Sequence, residues 1–171
     1  LIYGAVSPEG VHWKVLPDML ALQMADTINT AYYDDLLKRY VWYTRCNWYY
    51  GRRCVGRSET EDFRQWSAPD LVLWPGTDVL PSDDWYTNSH TIYPGTIDHH
   101  LMFPALYHRA VDSKELYMFS SPDGIVWTQV AGGPVLSPGP PGSWDGDDIV
   151  GGAGLVPLPN DRVGLPYTGY P

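Results

Sequence analysis

The chain has 171 residues, 44% of them hydrophobic, which is enough for one ordinary core and makes one domain the default. Its formal charge of −9 excludes the basic footprint of a nucleic-acid or anionic-membrane binder, and no apolar run approaches the roughly 18 to 20 residues that span a bilayer. Thirteen Tyr, eight Trp, seventeen Gly and sixteen Pro against three Phe point to a β-rich chain with polar-tipped aromatics and many turns.

Residues 1–6 read as a strand and residues 11–16 as its hairpin partner. One helical turn is expected near residues 18–23, limited by Pro17 and by the β-branched residues after Asp26. Residues 26–34 form a short strand closed by a turn, and residues 40–45, rich in β-formers, form the next. Residues 53–58 return and residues 70–74 finish a four-stranded unit. A second unit repeats the order, with strands at 86–93, 100–107, 116–120 and 133–136. Pro104 has no N–H to give a ladder, so a bulge or break is expected there. Residues 150–157 and 163–168 are two final strands around a turn at Pro159-Asn160-Asp161.

One heptad punctuates this order. Ser7-Pro8-Glu9-Gly10-Val11-His12-Trp13 recurs as Ser121-Pro122-Asp123-Gly124-Ile125-Val126-Trp127, with a looser copy running from Ser58 to Trp66. The three closing Trp residues lie 53 and 61 residues apart. Pro presets φ, the acid bonds nearby backbone and Gly supplies φ > 0, so each copy is a strand, a tight turn and the start of a return strand whose Trp packs between sheets. Four strands per unit and this spacing predict an all-β propeller of about three blade equivalents. The expected boundaries are a half blade over 1–20, blades over 26–75 and 84–137, and a half blade over 144–171. The array is either circularly offset or a piece of a five- or six-bladed ring. Its terminal edges invite another chain, so a homo-oligomer is expected.

Cys46 and Cys54 flank a hairpin loop, and both a disulfide and two partly buried thiols fit that spacing. No Cys-x-x-Cys pair suggests a metal site. No signal peptide is visible, and Leu1 already lies in an expected strand, which leaves the compartment open.

Tyr32-Tyr33-Asp34, the run from Tyr40 to Arg45, Gly51-Arg52-Arg53, Gly56-Arg57-Ser58, Asp62-Phe63 and Trp66 together resemble the five-bladed propeller glycosidases. Closest are glycoside hydrolase family 32 (invertase and levanase relatives), with family 43 arabinanases beside them. The resemblance implies hydrolysis of a glycosidic bond by carboxylates at the starts of inner strands. Asp26, Asp84 and the cluster Asp145, Asp147, Asp148 hold such positions, with Asp26 as base or nucleophile and Asp84 or Asp145 in support. His90 in an inner strand, Arg57, and loop-borne Trp48, Trp85 or Trp144 are candidates to hold a sugar.

The departures are equally concrete. The family-32 motifs Trp-x-Asn-Asp-Pro-Asn-Gly, Arg-Asp-Pro and Glu-Cys are absent. The only Glu residues are Glu9, Glu59, Glu61 and Glu115; the first three are read in strand-connecting turns and the last beside a hairpin loop. A non-catalytic carbohydrate-binding or scaffold propeller is therefore the alternative reading. Sialidases fit less well, because Asp123 and Gly124 are adjacent where their box separates them. No cofactor is expected; Asp145-Gly146-Asp147-Asp148 has the oxygens for calcium but not the spacing of a calcium loop, and reads better as a solvated acidic turn.

Overall fold

A computed structural model describes residues 1–171, apart from the side chain of Trp48. Among the described residues there are strands and no helix, and every strand pair is antiparallel. No sheet closes on itself.

The chain opens with a hairpin of β1 (Ile2–Val6) and β2 (Lys14–Ala21). β2 covers most of the stretch expected as a helical turn. Its register, Tyr3 against Met19 and Ile2 against Ala21, gives the backbone antiparallel partners. Leu16 and Leu20 turn inward over Gly4 and Phe63 instead of lining a helix face. A Cβ on Gly4 would come within 2.6 Å of Leu20, so the close approach requires glycine.

Four strands then run up and down: β3 (Thr30–Asp34), β4 (Arg39–Tyr49), β5 (Arg52–Thr60) and β6 (Asp70–Leu73). Asp34 shapes the first turn by accepting from the N–H groups of Leu36 and Leu37, both at 2.9 Å. Tyr50 and Gly51, at φ of 52° and 73°, make the two-residue turn between β4 and β5; two successive positive φ values match the twist of the flanking strands. Cys46 and Cys54 face each other across that hairpin as buried thiols without a disulfide, and the Cys54 thiol donates to the Cys46 carbonyl at 3.3 Å. Glu59, expected in a turn, lies within β5.

The second unit is also a four-stranded meander, but it is bent across its middle. Of the strand expected at 86–93 only β8 (His90–Ile92) forms, and a separate strand, β7 (Asp83–Trp85), lies just before that range. The next divides at Phe103-Pro104 into β9 (His100–Met102) and β10 (Ala105–His108), as the missing proline donor predicts. The third divides likewise into β11 (Ser113–Leu116) and β12 (Phe119–Ser121). Bonds at the bend keep the halves in step, from Tyr86 N–H to Ala105, Phe103 N–H to Asn88 and Tyr117 N–H to Pro104. β13 (Thr128–Gln129) completes the β8 side of the sheet. The strand expected at 133–136 is reduced to a bridge between Leu136 and Leu116.

β14 (Asp148–Gly151) pairs with β17 (Tyr167–Tyr170), and β15 (Val156–Leu158) with β16 (Arg162–Gly164) around Asn160 and Asp161, both at positive φ.

Three loops share one set of side-chain bonds. In the first, Ser7 Oγ accepts from Gly10 N–H at 2.8 Å, and the Trp13 indole donates to Gly10 O at 3.1 Å. In the third, Ser121 Oγ accepts from Gly124 N–H at 2.9 Å and the Trp127 indole donates to Gly124 O at 3.2 Å. In the second, Thr60 Oγ1 accepts from Asp62 N–H, as Ser7 and Ser121 also accept from Glu9 and Asp123 N–H, and the Trp66 indole donates to Phe63 O at 2.7 Å. The middle loop therefore starts at Thr60, not Ser58, and has the same length as the others. Trp127 sits edge-on to Tyr43 of the neighbouring sheet, and Trp66 edge-on to Trp42 of its own, whereas Trp13 is mostly exposed.

The main core lies between the two meanders, where Val41, Tyr43 and Val55 meet Trp85, Met102 and Phe119. A smaller core joins Ala105 and Leu116 to Ile149 of β14.

Candidate functional site

Three edge strands, β3, β8 and β14, approach one another and are tied by buried polar bonds. Thr30 Oγ1 donates to Asn88 Oδ1 at 2.7 Å, Asn88 Nδ2 donates to the Ile28 carbonyl at 2.9 Å, and Ser89 Oγ donates to the Gly151 carbonyl at 2.8 Å. Between them lies a cleft of about 440 Å³, lined by Asn29, Thr30, Tyr32, His90, Thr91 and Ala153 among others. Its walls mix hydroxyl, amide and aromatic groups, apolar surface with a few polar groups as in ligand clefts generally.

His90 forms the base of this cleft. Its ring stacks between Tyr43, at 4.3 Å, and Tyr32, at 5.0 Å, and its Nε2 lies 3.2 Å from His100 Nδ1. Burial, with His100 and Arg57 close by, holds the His90 pKa well below the usual histidine range, so the ring is neutral near pH 7. Burial also lowers His100, and pushes the Tyr43 phenol up to about 12. Tyr43 donates to the Gly124 carbonyl at 2.7 Å, so the phenol is locked as a donor. Arg57 is buried below these rings, paired with Glu59, and its Nε and Nη2 have no hydrogen-bond partner.

A second constellation sits where β3 and β14 begin. Asp26 Oδ1 lies 2.5 Å from Arg45 Nη1. The Arg45 guanidinium lies 5.3 Å from the centroid of Tyr86, in the bend of the second meander. Arg53 and Lys114 approach the same ring, each at 5.1 Å, and both also reach Tyr107. Lys114 pairs with Asp148, the first residue of β14. Asp84 is fully buried and gathers Arg53 at 2.8 Å, Arg109 through two bonds of 2.7 Å, and Arg52 at 3.9 Å. Such charge-assisted bonds hold guanidinium groups in fixed orientations.

The structure thus brings Asp26, the Asp84 cluster and Asp148 around one tyrosine. Asp145 lies apart from them: it accepts from Ser143 Oγ at 2.9 Å and from the Tyr167 hydroxyl at 3.0 Å, which organises the loop before β14. Trp85, expected on an open loop, is a core residue packed edge-on against Tyr117 and Phe119, because β7 turns it toward the first meander. Trp144 is exposed beside Tyr167, and the Trp48 side chain lies outside the described residues. Among the described residues, no three His, Cys, Asp or Glu side chains gather so as to hold a metal ion. Sequence reasoning missed Arg45, Tyr86, His100 and Lys114. Tyr86 sits at the bend, Arg45 and Lys114 within strands and His100 at the start of β9, and their convergence comes from pairing between distant segments, which leaves no local signature.

No protein-family profile matches the chain, and no curated protein does. Solved structures do. An N-acetylgalactosamine deacetylase from F. plautii, in complex with blood group B trisaccharide, superposes with a TM-score of 0.62 at 21% identity over 86% of this chain and 40% of its own. A protein described as a glycoside hydrolase gives 0.58 at 12% identity over 95% and 54%, and a BT0996 complex with RGII gives 0.55 at 15% over 91% and 51%. The fold is glycosidase-like. The chain spans about half or less of the length of the structures it matches. The likeness extends to the architecture, at identities too low to carry residue roles.

Proposed function

We propose that the chain is part of a propeller in the manner of glycoside hydrolase families 32 and 43, and that it acts on carbohydrate at the cleft between β3, β8 and β14. In this reading these are the inner strands of successive blades, residues 26–75 and 84–137 are two complete blades, and the segments 1–20 and 144–171 belong to flanking ones. The observation that carries it is the gathering of Asp26, the Asp84–arginine cluster and Asp148 through the cations that face Tyr86. Asp26 is the base or nucleophile, since its side chain is exposed and its one ionic contact is Arg45. Asp84 positions Arg53 and Arg109, and Asp145 steadies the loop leading to Asp148. His90 and Trp144 offer sugar contacts, with Arg57 supporting the rings beneath. Two neighbours were solved with carbohydrate, a trisaccharide in one and RGII in the other, which supports carbohydrate as the partner.

A panel of chromogenic furanosides and pyranosides tests the hydrolytic reading. Asp26→Asn is expected to abolish turnover of whichever substrate is cleaved; full activity in that variant rejects the assignment.

A second reading, a carbohydrate-binding propeller without catalysis, is favoured by the glutamates. Glu9 lies in the first loop, Glu59 and Glu61 pair with Arg39, and Glu115 meets His108 and Ser137. None of them lines the cleft. Binding on a glycan array with no turnover of any panel substrate would select this reading over the first.

A further inference from the structure

Arg52, Arg53 and Arg109 share one carboxylate, Asp84, which offsets one of their three charges and leaves two over in a chain whose formal charge is −9. Among the described residues no other carboxylate makes an ion pair with any of the three, whereas the neighbouring Arg45 and Lys114 are each matched, by Asp26 and Asp148. The group is graded by depth. Asp84 is fully buried, Arg52 is 16% exposed and donates to the Asp83 and Leu80 carbonyls, and Arg53 and Arg109 open outward at 29% and 41%. Arg53 Nη1 and Arg109 Nε meet on the same oxygen, Asp84 Oδ2, at 2.8 Å and 2.7 Å, so the two guanidinium groups are neighbours. Arg109 Nη2 adds a bond of 2.7 Å to Oδ1, and Arg53 lies over both Tyr86 and Tyr107, the latter directly opposite Asp84 in the β7–β10 register. These contacts hold both groups in place, yet Arg53 Nε and Nη2 and Arg109 Nη1 have no acceptor in the protein. Water satisfies such donors but not the charge: two guanidinium groups on one oxygen repel, and the single carboxylate beneath them offsets only one.

We propose that Arg53 and Arg109, mounted on Asp84 beside Tyr107, form a binding site for a phosphate group, either the free ion or a monoester. Its oxygens accept from both guanidinium groups at once, through charge-assisted bonds in the fork geometry of arginine. A phosphate dianion offsets the surplus of two, whereas a carboxylate meets half of it. The acids nearby leave this face open. Asp83, next to Asp84, points to the other face of β7 and pairs with His108. Asp112 accepts from the Tyr107 hydroxyl at 2.6 Å and makes no ion pair with either arginine, so its charge weakens the hold on an anion without occupying the site. None of these residues lines the cleft between β3, β8 and β14, and the inference stands apart from the carbohydrate reading.

Calorimetric titration of the 171-residue chain at low, constant ionic strength tests it, with inorganic phosphate, glucose 6-phosphate, sodium sulfate, sodium acetate and glucose at about pH 8, where a phosphate group carries close to two charges. Inorganic phosphate or glucose 6-phosphate is expected to bind about tenfold or more tightly than acetate, with sulfate, also doubly charged, competing for the same site. The tighter of the two phosphates identifies the free ion or the monoester as the ligand. Arg53→Gln and Arg109→Gln are each expected to weaken that phosphate about tenfold, the loss of one charge-assisted contact. Arg64→Gln, which removes an exposed arginine elsewhere, is expected to leave it unchanged. Phosphate binding no tighter than acetate, or an equal loss in all three variants, overturns the inference, since either result describes general attraction to positive charge. Glucose binding as well as glucose 6-phosphate overturns it too. Should the Gln variants fail to fold, Arg109→Lys keeps the charge and loses the fork, and is expected to weaken phosphate severalfold; undiminished affinity there overturns the role given to the guanidinium.

Discussion

Gly124 shows how one loop residue ties two sheets together. It sits at φ of 69°, and a Cβ there would fall 2.6 Å from the Tyr43 hydroxyl that bonds its own carbonyl. Gly10, in the corresponding loop, sits at φ of 81° with nothing within 4 Å of a Cβ. Gly10→Ala is therefore expected to cost about 1–2 kcal/mol from left-handed strain alone, and Gly124→Ala about 1–3 kcal/mol more from overpacking. Urea unfolding of the two variants measures the difference, and equal losses would show that Gly124 has no special contact. His90 makes a second residue-level case. Its pKa is depressed by burial, so between the unfolded value near 6.5 and the lower folded value the unfolded chain binds the extra proton. Stability contributed by the neutral ring is present above about pH 6.5 and is lost as pH falls through that window. The slope is about 1.4 kcal/mol per pH unit for one proton. His100, also lowered, adds to it, whereas His108, raised by Asp83 and Glu115 against its own burial, acts in the opposite sense. Denaturant midpoints at pH 7.5, 6 and 5 should fall in order, and His90→Gln should flatten the fall; a flat wild-type profile would contradict the buried neutral pair. The sequence placed His90 in an inner strand but not its partner, because ten residues separate it from His100 and only the pairing of β8 with β9 brings their rings together.

At the scale of elements, the heptad is the most legible feature in the sequence, and its middle copy departs most from the expected position. The Ser or Thr hydroxyl, the acid and the Trp indole recur because each satisfies a backbone group that a tight turn would leave exposed. The middle copy lacks Gly and Pro, so sequence alone sets its start two residues early, at Ser58, while its hydrogen bonds locate it at Thr60. The bend at Pro104 was readable from the missing donor. The matching breaks at Tyr86–Ser89 and Tyr117–Met118 were not, since they follow from one strand bending and its neighbours keeping step. The same loops separate local from tertiary roles for Trp. Trp127 packs edge-on to Tyr43 and His90 at 6.0 Å from each, and Trp13 is mostly exposed. Trp127→Ala is expected to cost about 3 kcal/mol and Trp13→Ala under about 1 kcal/mol, although both lose the same indole bond. Thermal unfolding of the pair checks this; similar losses would mean that the turn bond, not the inter-sheet contact, carries the energy.

At the scale of the molecule, both outer sheets leave backbone and apolar surface without a partner. Gly4, Leu16 and Leu20 face the first meander, so strand alternation turns Tyr3, Val15 and Met19 to the other side, where all three are exposed. β1 and β2 pair only with each other, as do β14 and β17, so each two-stranded sheet keeps unpaired edges. Charge, proline and bulges blunt such edges, and the first hairpin has Lys14, Pro17, Asp18 and two register shifts, so its exposed apolar face rather than its backbone edge is what invites a partner. Self-association of the 171-residue chain is the expected consequence, with the apolar face of β1–β2 covered by a second copy. Sedimentation velocity over a concentration series should show mass above that of the 19.2 kDa chain, and the double substitution of Tyr3→Lys with Val15→Lys should return it to monomer without changing the strand signal in circular dichroism. A wild-type chain that sediments as monomer at every concentration would place those residues in contact with water alone, and would remove association from the reading of the fold.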